Sequence, residues 1–363
     1  MKKLFALRLS ATILAVHLSV MLFAQGVITT PRVPSPAATV TQTIGISTVT
    51  VKYSRPSVRG REIWGALVPY GYNVQNFGAG NQAPWRAGAN ENTVIQFSHN
   101  AKVEGQSIPA GSYGLFFVIN KDNTGEVVLS KNYKSWGSFW YDPKNDLMRA
   151  KITLRDIPET EMLTYDFIND TKNSAELVLN WEKKQFPVKI EFNIDSIVMA
   201  NASDELTNSI GFSAQGYSSA ANYALQNNTN YDQALSWINQ AIAMNKTFAT
   251  LVTKSDILQQ MGRTSEADSV MKDATAITTE NELNNYGYQL LNSGKQDKAI
   301  EIFILNTKLH PNSANVWDSL GEAYATKGDK KNAIINFKKS LSMNPLPNVR
   351  ANSEKFLTQL GAN

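Results

Sequence analysis

Arg55, Arg59, Arg61 and Glu62 fall within eight residues, and the stretch PWRAGANENTVIQF at 84–97 adds Arg86 and Glu91. A guanidinium presents a fixed fork of donors that matches a carboxylate or phosphate, so Arg59 or Arg61 together with Arg86 has the chemistry to clamp an anion. The same residues have a plainer use. Arginines paired with Glu62 and Glu91 would pin two turns, with Arg86 and Glu91 orienting the entry to a strand and Gly88 supplying backbone geometry that a side chain resists. Pinning is the preferred reading, and Arg59, Arg61, Arg86 and Glu91 stand as the ligand candidates. In SWGSFWYDP at 135–143, Trp136, Trp140 and Tyr141 sit beside Asp142 and Asn145. They form either a structural corner, which is preferred, or a stacking platform for a glycan or peptide. His99 with Glu91, Asp142 or Asp146 would make an acid/base pair, but no serine elbow, paired-histidine motif or acidic calcium loop accompanies it, and no catalytic residue is assigned. Pro109, Gly111 and Gly114 in IPAGSYG shape a turn. A phosphate loop would need a following Lys-Ser or Lys-Thr and a helix.

Composition narrows the chemistry further. The chain has no cysteine, so thiol nucleophiles, thiolate zinc sites and disulfides are excluded. Its histidines are His17, His99 and His310, too few for a multi-histidine metal centre in one subunit. Neither a metal nor a cofactor is expected. Lys2, Lys3 and Arg8 precede the apolar run ATILAVHLSVMLFA, which ends at Ala24. This is the pattern of a secretory signal peptide over residues 1–24, implying a periplasmic or extracellular protein with the option of peripheral envelope association. The leader holds three of the 35 basic side chains, leaving 32 against 31 acidic ones. With that balance and no basic tract, nucleic acid is a poor partner. No later run is long and apolar enough to span a bilayer.

These candidates have to be held by two kinds of element. Residues 25–42 carry three prolines and few large apolar groups, and read as a flexible linker. Strand-like runs follow at 44–53, 93–98, 112–119, 125–130, 147–154, 162–168, 174–181 and 186–194, rich in β-branched and aromatic residues and separated by turn signals. Nothing between them suffices for regular βα crossovers, so an all-β sandwich or distorted barrel is expected over 43–195. Five of the seven tryptophans fall in this half, most of them as core or rim anchors.

After a linker at 196–214, the period changes. Gly287, Gly294, Ala299, Phe303 and Pro311 recur 34 positions later as Gly321, Gly328, Ala333, Phe337 and Pro345, the spacing of paired-helix repeats. Trp317, Leu320, Gly321 and Tyr324, with Ala333, Phe337 and Pro345, resemble the tetratricopeptide repeat. That resemblance implies four helical hairpins at roughly 215–247, 248–279, 280–313 and 314–347, an all-α solenoid. Gly321 and Ala333 would let helices approach, and Trp317, Tyr324 and Phe337 would fill the space between them. VRANSEKFLTQLG supplies a capping helix over 348–363. Such arrays present a concave surface, so a protein or peptide is the expected partner there.

The first half resembles the bacterial DUF2911 family, a domain of unknown function, through VKYSRPSVRGREIWGALVPYG at 51–71, WRAGANENTVIQFS at 85–98, IPAGSYGLFFV at 108–118 and KSWGSFWYDPKNDLMRAKI at 134–152. The resemblance covers about residues 43–195 and implies an exported protein without a settled biochemical role. Two departures stand out. YNVQNFGAGNQAP intervenes after Gly71, and Ala87 stands where the family usually has Thr. Together these features lead to an exported noncatalytic binding or assembly protein, with an envelope enzyme or a β-domain site for a glycan or small anion as the alternative.

Overall fold

The computed structural model describes residues 34–362, which divide into two compact units at Ile197/Val198. The leader read over 1–24 lies outside the described residues, as does the first half of the segment read as a linker.

In the first unit, β1 (Ala37–Ile44) and β2 (Ser47–Ser54) form a hairpin, so residues 37–42 of the expected linker are strand. After β3 (Asn73–Val74) and β4 (Gln82–Ala83) come β5 (Val94–Phe97), β6 (Ala101–Val103), β7 (Gln106–Ile108), β8 (Gly111–Ile119), β9 (Thr124–Ser130) and β10 (Asp146–Thr153). The long pair β11 (Arg155–Ile168) and β12 (Ser174–Phe192) completes the unit. One sheet has the order β1-β2-β5-β8-β9-β10 and a second β11-β12-β6-β7, with β3-β4 as a separate ribbon. Every pairing between these strands is antiparallel.

The sheets face each other through Tyr53 against Tyr165, with ring centroids 4.7 Å apart, and Phe117 against Phe186 at 5.0 Å. The result is a sandwich, not a closed barrel. β8 is buried along both faces from Tyr113 to Ile119. Leu115 and Phe117 share one face of it, while Phe116 on the other packs with Val128, Ala83 and Tyr141. The segment that interrupts the family pattern therefore covers the outer side of β8 and β9. Gly78 seals it, because a Cβ there would lie 2.0 Å from the Phe139 carbonyl oxygen.

The second unit is helical. α1 (Ile194–Glu205) leads into it, followed by α2 (Ala214–Gln226), α3 (Tyr231–Met244), α4 (Phe248–Gln260), α5 (Thr264–Thr275), α6 (Glu280–Asn292), α7 (Gln296–Leu309), α8 (Ala314–Lys327), α9 (Lys330–Ser342) and α10 (Pro347–Leu360). Helices α2/α3, α4/α5, α6/α7 and α8/α9 pack as consecutive hairpins. Small residues at their contacts explain the close approach. A Cβ on Gly287 would lie 2.6 Å from the Phe303 ring, and one on Gly321 2.8 Å from Phe337.

Phe337 and Ala333 are fully buried beneath Leu357, with the Phe356 ring stacked 5.1 Å from Phe337. Tyr324 packs at the edge of this cluster. Trp317 lies at the rim of the space between α8 and α9: it is half-buried, its indole N–H donates to the Pro311 carbonyl, and Lys339 of α9 lies over its ring. No helix among the described residues is long and apolar enough to cross a membrane.

Candidate functional site

The stretch 84–97 departs from the sheet and returns to it. Trp85 exchanges two backbone hydrogen bonds with Phe117, extending the sheet along β8 where β5 has ended, and Val94 re-enters opposite Gly114. Residues 86–93 form the excursion between these points. Ala87 and Asn90 take left-handed backbone, with φ of 53° and 61°. The Ala87 carbonyl accepts from the Thr93 and Tyr165 hydroxyls. Gly88 serves a different purpose from the one expected, since its φ is not left-handed. A Cβ there would lie 2.8 Å from the Thr93 hydroxyl and 3.1 Å from the Ser54 carbonyl, so the position demands space.

Arg86 does pin this excursion, but its partner is a backbone carbonyl instead of Glu91. Its guanidinium donates to Asn90 O at 2.6 Å, lies 5.0 Å from the Phe139 ring centroid and rests against Gly137, whose φ is 58°. Burial lowers its pKa from the ordinary arginine value. Among the described residues no carboxylate lies within ion-pairing distance of it.

Arg59 and Arg61 reach the same place from another direction. Residues 56–58 hang on β11 through Val58 N–H to the Glu161 carbonyl and Leu163 N–H to the Pro56 carbonyl. Arg61 then folds back to donate to the carbonyls of Val58, at 3.0 Å, and Ser57. Arg59 has left-handed backbone, its N–H donates to the Glu161 carboxylate, and its side chain is exposed. Arg55 is structural, donating to Leu163 O and the Thr164 hydroxyl.

Together Arg59, Arg61 and Arg86 line a cavity of about 530 Å³ whose apolar wall includes Trp85 and Trp181. These indoles stack with centroids 5.7 Å apart and planes at 17°, and Trp64 meets both edge-on at 5.8 Å. Trp181 is 1% exposed, and its indole N–H has no partner among the described residues. A second cavity of about 320 Å³ shares Leu67, Trp85 and Arg86 with the first.

Glu91 lines neither cavity, and neither do Trp136 and Trp140. Those two tryptophans are 48% and 49% exposed, and Phe77 from the interrupting segment meets Trp140 at 6.0 Å. Tyr141 is buried and donates to Asp146, which also receives Arg149. His99 lies against the Ser98 hydroxyl, and among the described residues no ion pair joins it to Glu91, Asp142 or Asp146. Among the described residues, no three histidine or carboxylate side chains gather to hold a metal. Nothing in the sequence around Trp181 marks it as a wall residue, since its context is that of an ordinary core strand.

In the helical unit, polar side chains tie α2 to α4, α6 to α8 and α8 to α10. Thr253 donates to Asn222, Tyr288 to Glu322 at 3.0 Å, and Asn352 to Asp318 at 2.8 Å. A cavity of about 620 Å³ lies along α2 and α4, lined by Gln215, Ser218, Asn222 and Thr253 and bordered by Phe212 and Met244, which are 86% and 42% exposed.

Residues 35–190 match the family described as a protein of unknown function (DUF2911), and residues 314–345 match the tetratricopeptide repeat. The first unit is thus a DUF2911 domain, and the helical unit carries tetratricopeptide repeats. No curated protein matches the chain. Among solved structures, the chain is similar to YrrB, a TPR protein with an unusual peptide-binding site, at 19% identity over 45% of this chain and 84% of that one, with a TM-score of 0.25. It is similar to Pseudomonas aeruginosa pilF at 21% identity, over 42% of this chain and 71% of that one, with a TM-score of 0.25. For MamA the identity is 16%, over 42% of this chain and 89% of that one, with a TM-score of 0.26.

Proposed function

We propose that this chain, a DUF2911 domain joined to tetratricopeptide repeats, is an exported noncatalytic binding or assembly protein that holds a protein or peptide partner on its helical array. The observation that carries the reading is the cavity along α2 and α4. Exposed Phe212 and Met244 stand beside a row of amide and hydroxyl side chains, Gln215, Ser218, Asn222 and Thr253. Large apolar anchors next to groups that can satisfy a peptide backbone are what an extended or helical segment needs from a surface. Export rests on the charged leader and apolar run that end at Ala24.

A photo-crosslinking side chain at Ser218, introduced into the full chain in its native envelope, tests this. One defined protein partner is expected. Gln215→Lys should weaken the crosslink about tenfold by crowding the cavity, and the exposed Glu159→Gln should leave it intact. Crosslinks unaffected by Gln215→Lys would place the partner elsewhere.

A further inference from the structure

We infer that the cavity lined by Arg59, Arg61, Arg86, Trp85 and Trp181 is a binding site for a small organic oxyanion, a carboxylate or phosphate ester carried on a flat, ring-bearing body. Among the described residues, fourteen line it, of which three are arginines and none is acidic. A buried charge is normally paired. Here the partners are neutral. Arg61 is held by two backbone carbonyls and Arg86 by one, while the Arg59 guanidinium has no hydrogen-bond or ion-pair partner among the described residues. Carbonyls orient a guanidinium without cancelling its charge, and the Glu161 carboxylate beside Arg59 takes its backbone N–H and not its guanidinium, so three arginines line one space with no carboxylate bonded to any of their guanidinium groups among the described residues.

The cost of that arrangement is greatest at Arg86, which is half-buried. A desolvated, uncompensated cation is unfavourable, and an oxyanion entering the cavity removes the penalty with charge-assisted hydrogen bonds from the donors that remain. The wall defines the rest of the ligand. Trp85 is half-buried and backed by the stacked Trp181, so a planar or sugar ring meets a flat indole surface. The indole N–H of Trp181, itself buried, has no partner among the described residues. The volume of about 530 Å³ lies in the range of small-molecule sites, and the adjoining cavity, sharing Trp85 and Arg86, gives a longer body room to extend. Some backbone strain lies here too. Arg59 in the lining and Ala87 beside it are left-handed without being glycine or asparagine, a backbone that persists where the surroundings enforce it.

The test is titration of the purified protein with benzoate, phenyl phosphate and glucuronate, their neutral counterparts benzyl alcohol, phenol and glucose, and inorganic phosphate. Binding is read by calorimetry and by indole fluorescence. The expected result is saturable binding of at least one ring-bearing anion, at least tenfold tighter than its neutral counterpart and than inorganic phosphate, weakening as salt rises. The order of benzoate and phenyl phosphate identifies the preferred oxyanion. Arg59→Gln should weaken that binding tenfold or more without moving the melting temperature, because this guanidinium holds nothing together among the described residues. Arg59→Lys, retaining charge without the fork, should fall between. Absence of saturable anion binding, equal affinity for neutral counterparts, or undiminished binding in a folded Arg59→Gln would each overturn the proposal.

Discussion

Arg86 shows how one side chain can be structural and still carry an uncompensated charge. Its hydrogen bond to Asn90 O and its packing on Phe139 both hold the excursion from the sheet. Arg86→Ala is therefore expected to lower stability by about 1–3 kcal/mol in chemical denaturation, and an unchanged midpoint would mean that the excursion holds itself. That Arg86 mattered was legible from its type and neighbours. Its partner was not, since a carbonyl acceptor belongs to every residue and leaves no mark in the sequence, whereas Glu91 invited a pairing. Gly321 was fully legible, because only a missing side chain admits the Phe337 ring; Gly321→Ala should destabilise by roughly 1–3 kcal/mol through overpacking, with Gly287→Ala matching it against Phe303. Asp318 gives a pH signature. Burial holds its carboxyl above the usual carboxylate range, against the lowering hydrogen bonds from Ser353 and Asn352. A folded pKa raised above the unfolded one adds stability at low pH that is lost as pH rises through the folded value. The stability of the wild type relative to Asp318→Asn should thus fall as pH rises through the carboxylate range in urea titrations, and a constant difference would contradict it.

At the scale of elements, the strands with an apolar alternation were readable and those without it were not. β1, AATVTQTI, buries only its last residue and forms the edge of its sheet, so no hydrophobic face distinguished it from a linker. The sequence suggests two strands, 174–181 and 186–194, where β12 runs unbroken, because EKKQ at 182–185 has no apolar residue. It continues because Lys184 and Gln185 pair with Asp156 and Arg155, while Glu182 absorbs a register shift with φ of 52°. The expected linker at 196–214 also holds structure, since α1 runs through its first part and Met199 and Leu206 enter the core formed with α2 and α3. A fragment beginning at Ile194 should therefore melt cooperatively by circular dichroism, and one beginning at Ala214 at a lower temperature. Equal melting would show that Met199 and Leu206 add nothing. The cationic cavity was legible only in part: the arginines were visible, but their convergence depends on β11 drawing residues 56–58 beside it, a pairing between segments about a hundred residues apart.

For the molecule as a whole, two unlike units each bury a core without any disulfide. Export remains the property that the leader motivates, and intact mass of protein recovered from the exported fraction should correspond to a chain beginning at Gln25; retention of Met1–Ala24 would reject cleavage. The helical unit has one more consequence. Its Gly287–Phe303 and Gly321–Phe337 contacts each close within a single hairpin, and the cover over Phe337 comes from α10. A hairpin is therefore a cassette and α10 its terminator. A second copy of residues 312–345, one full 34-residue period, spliced ahead of Leu346 would find a matching surface on α8 and α9 below and the same lid above, so evolution could lengthen the array by duplication without redesigning either end.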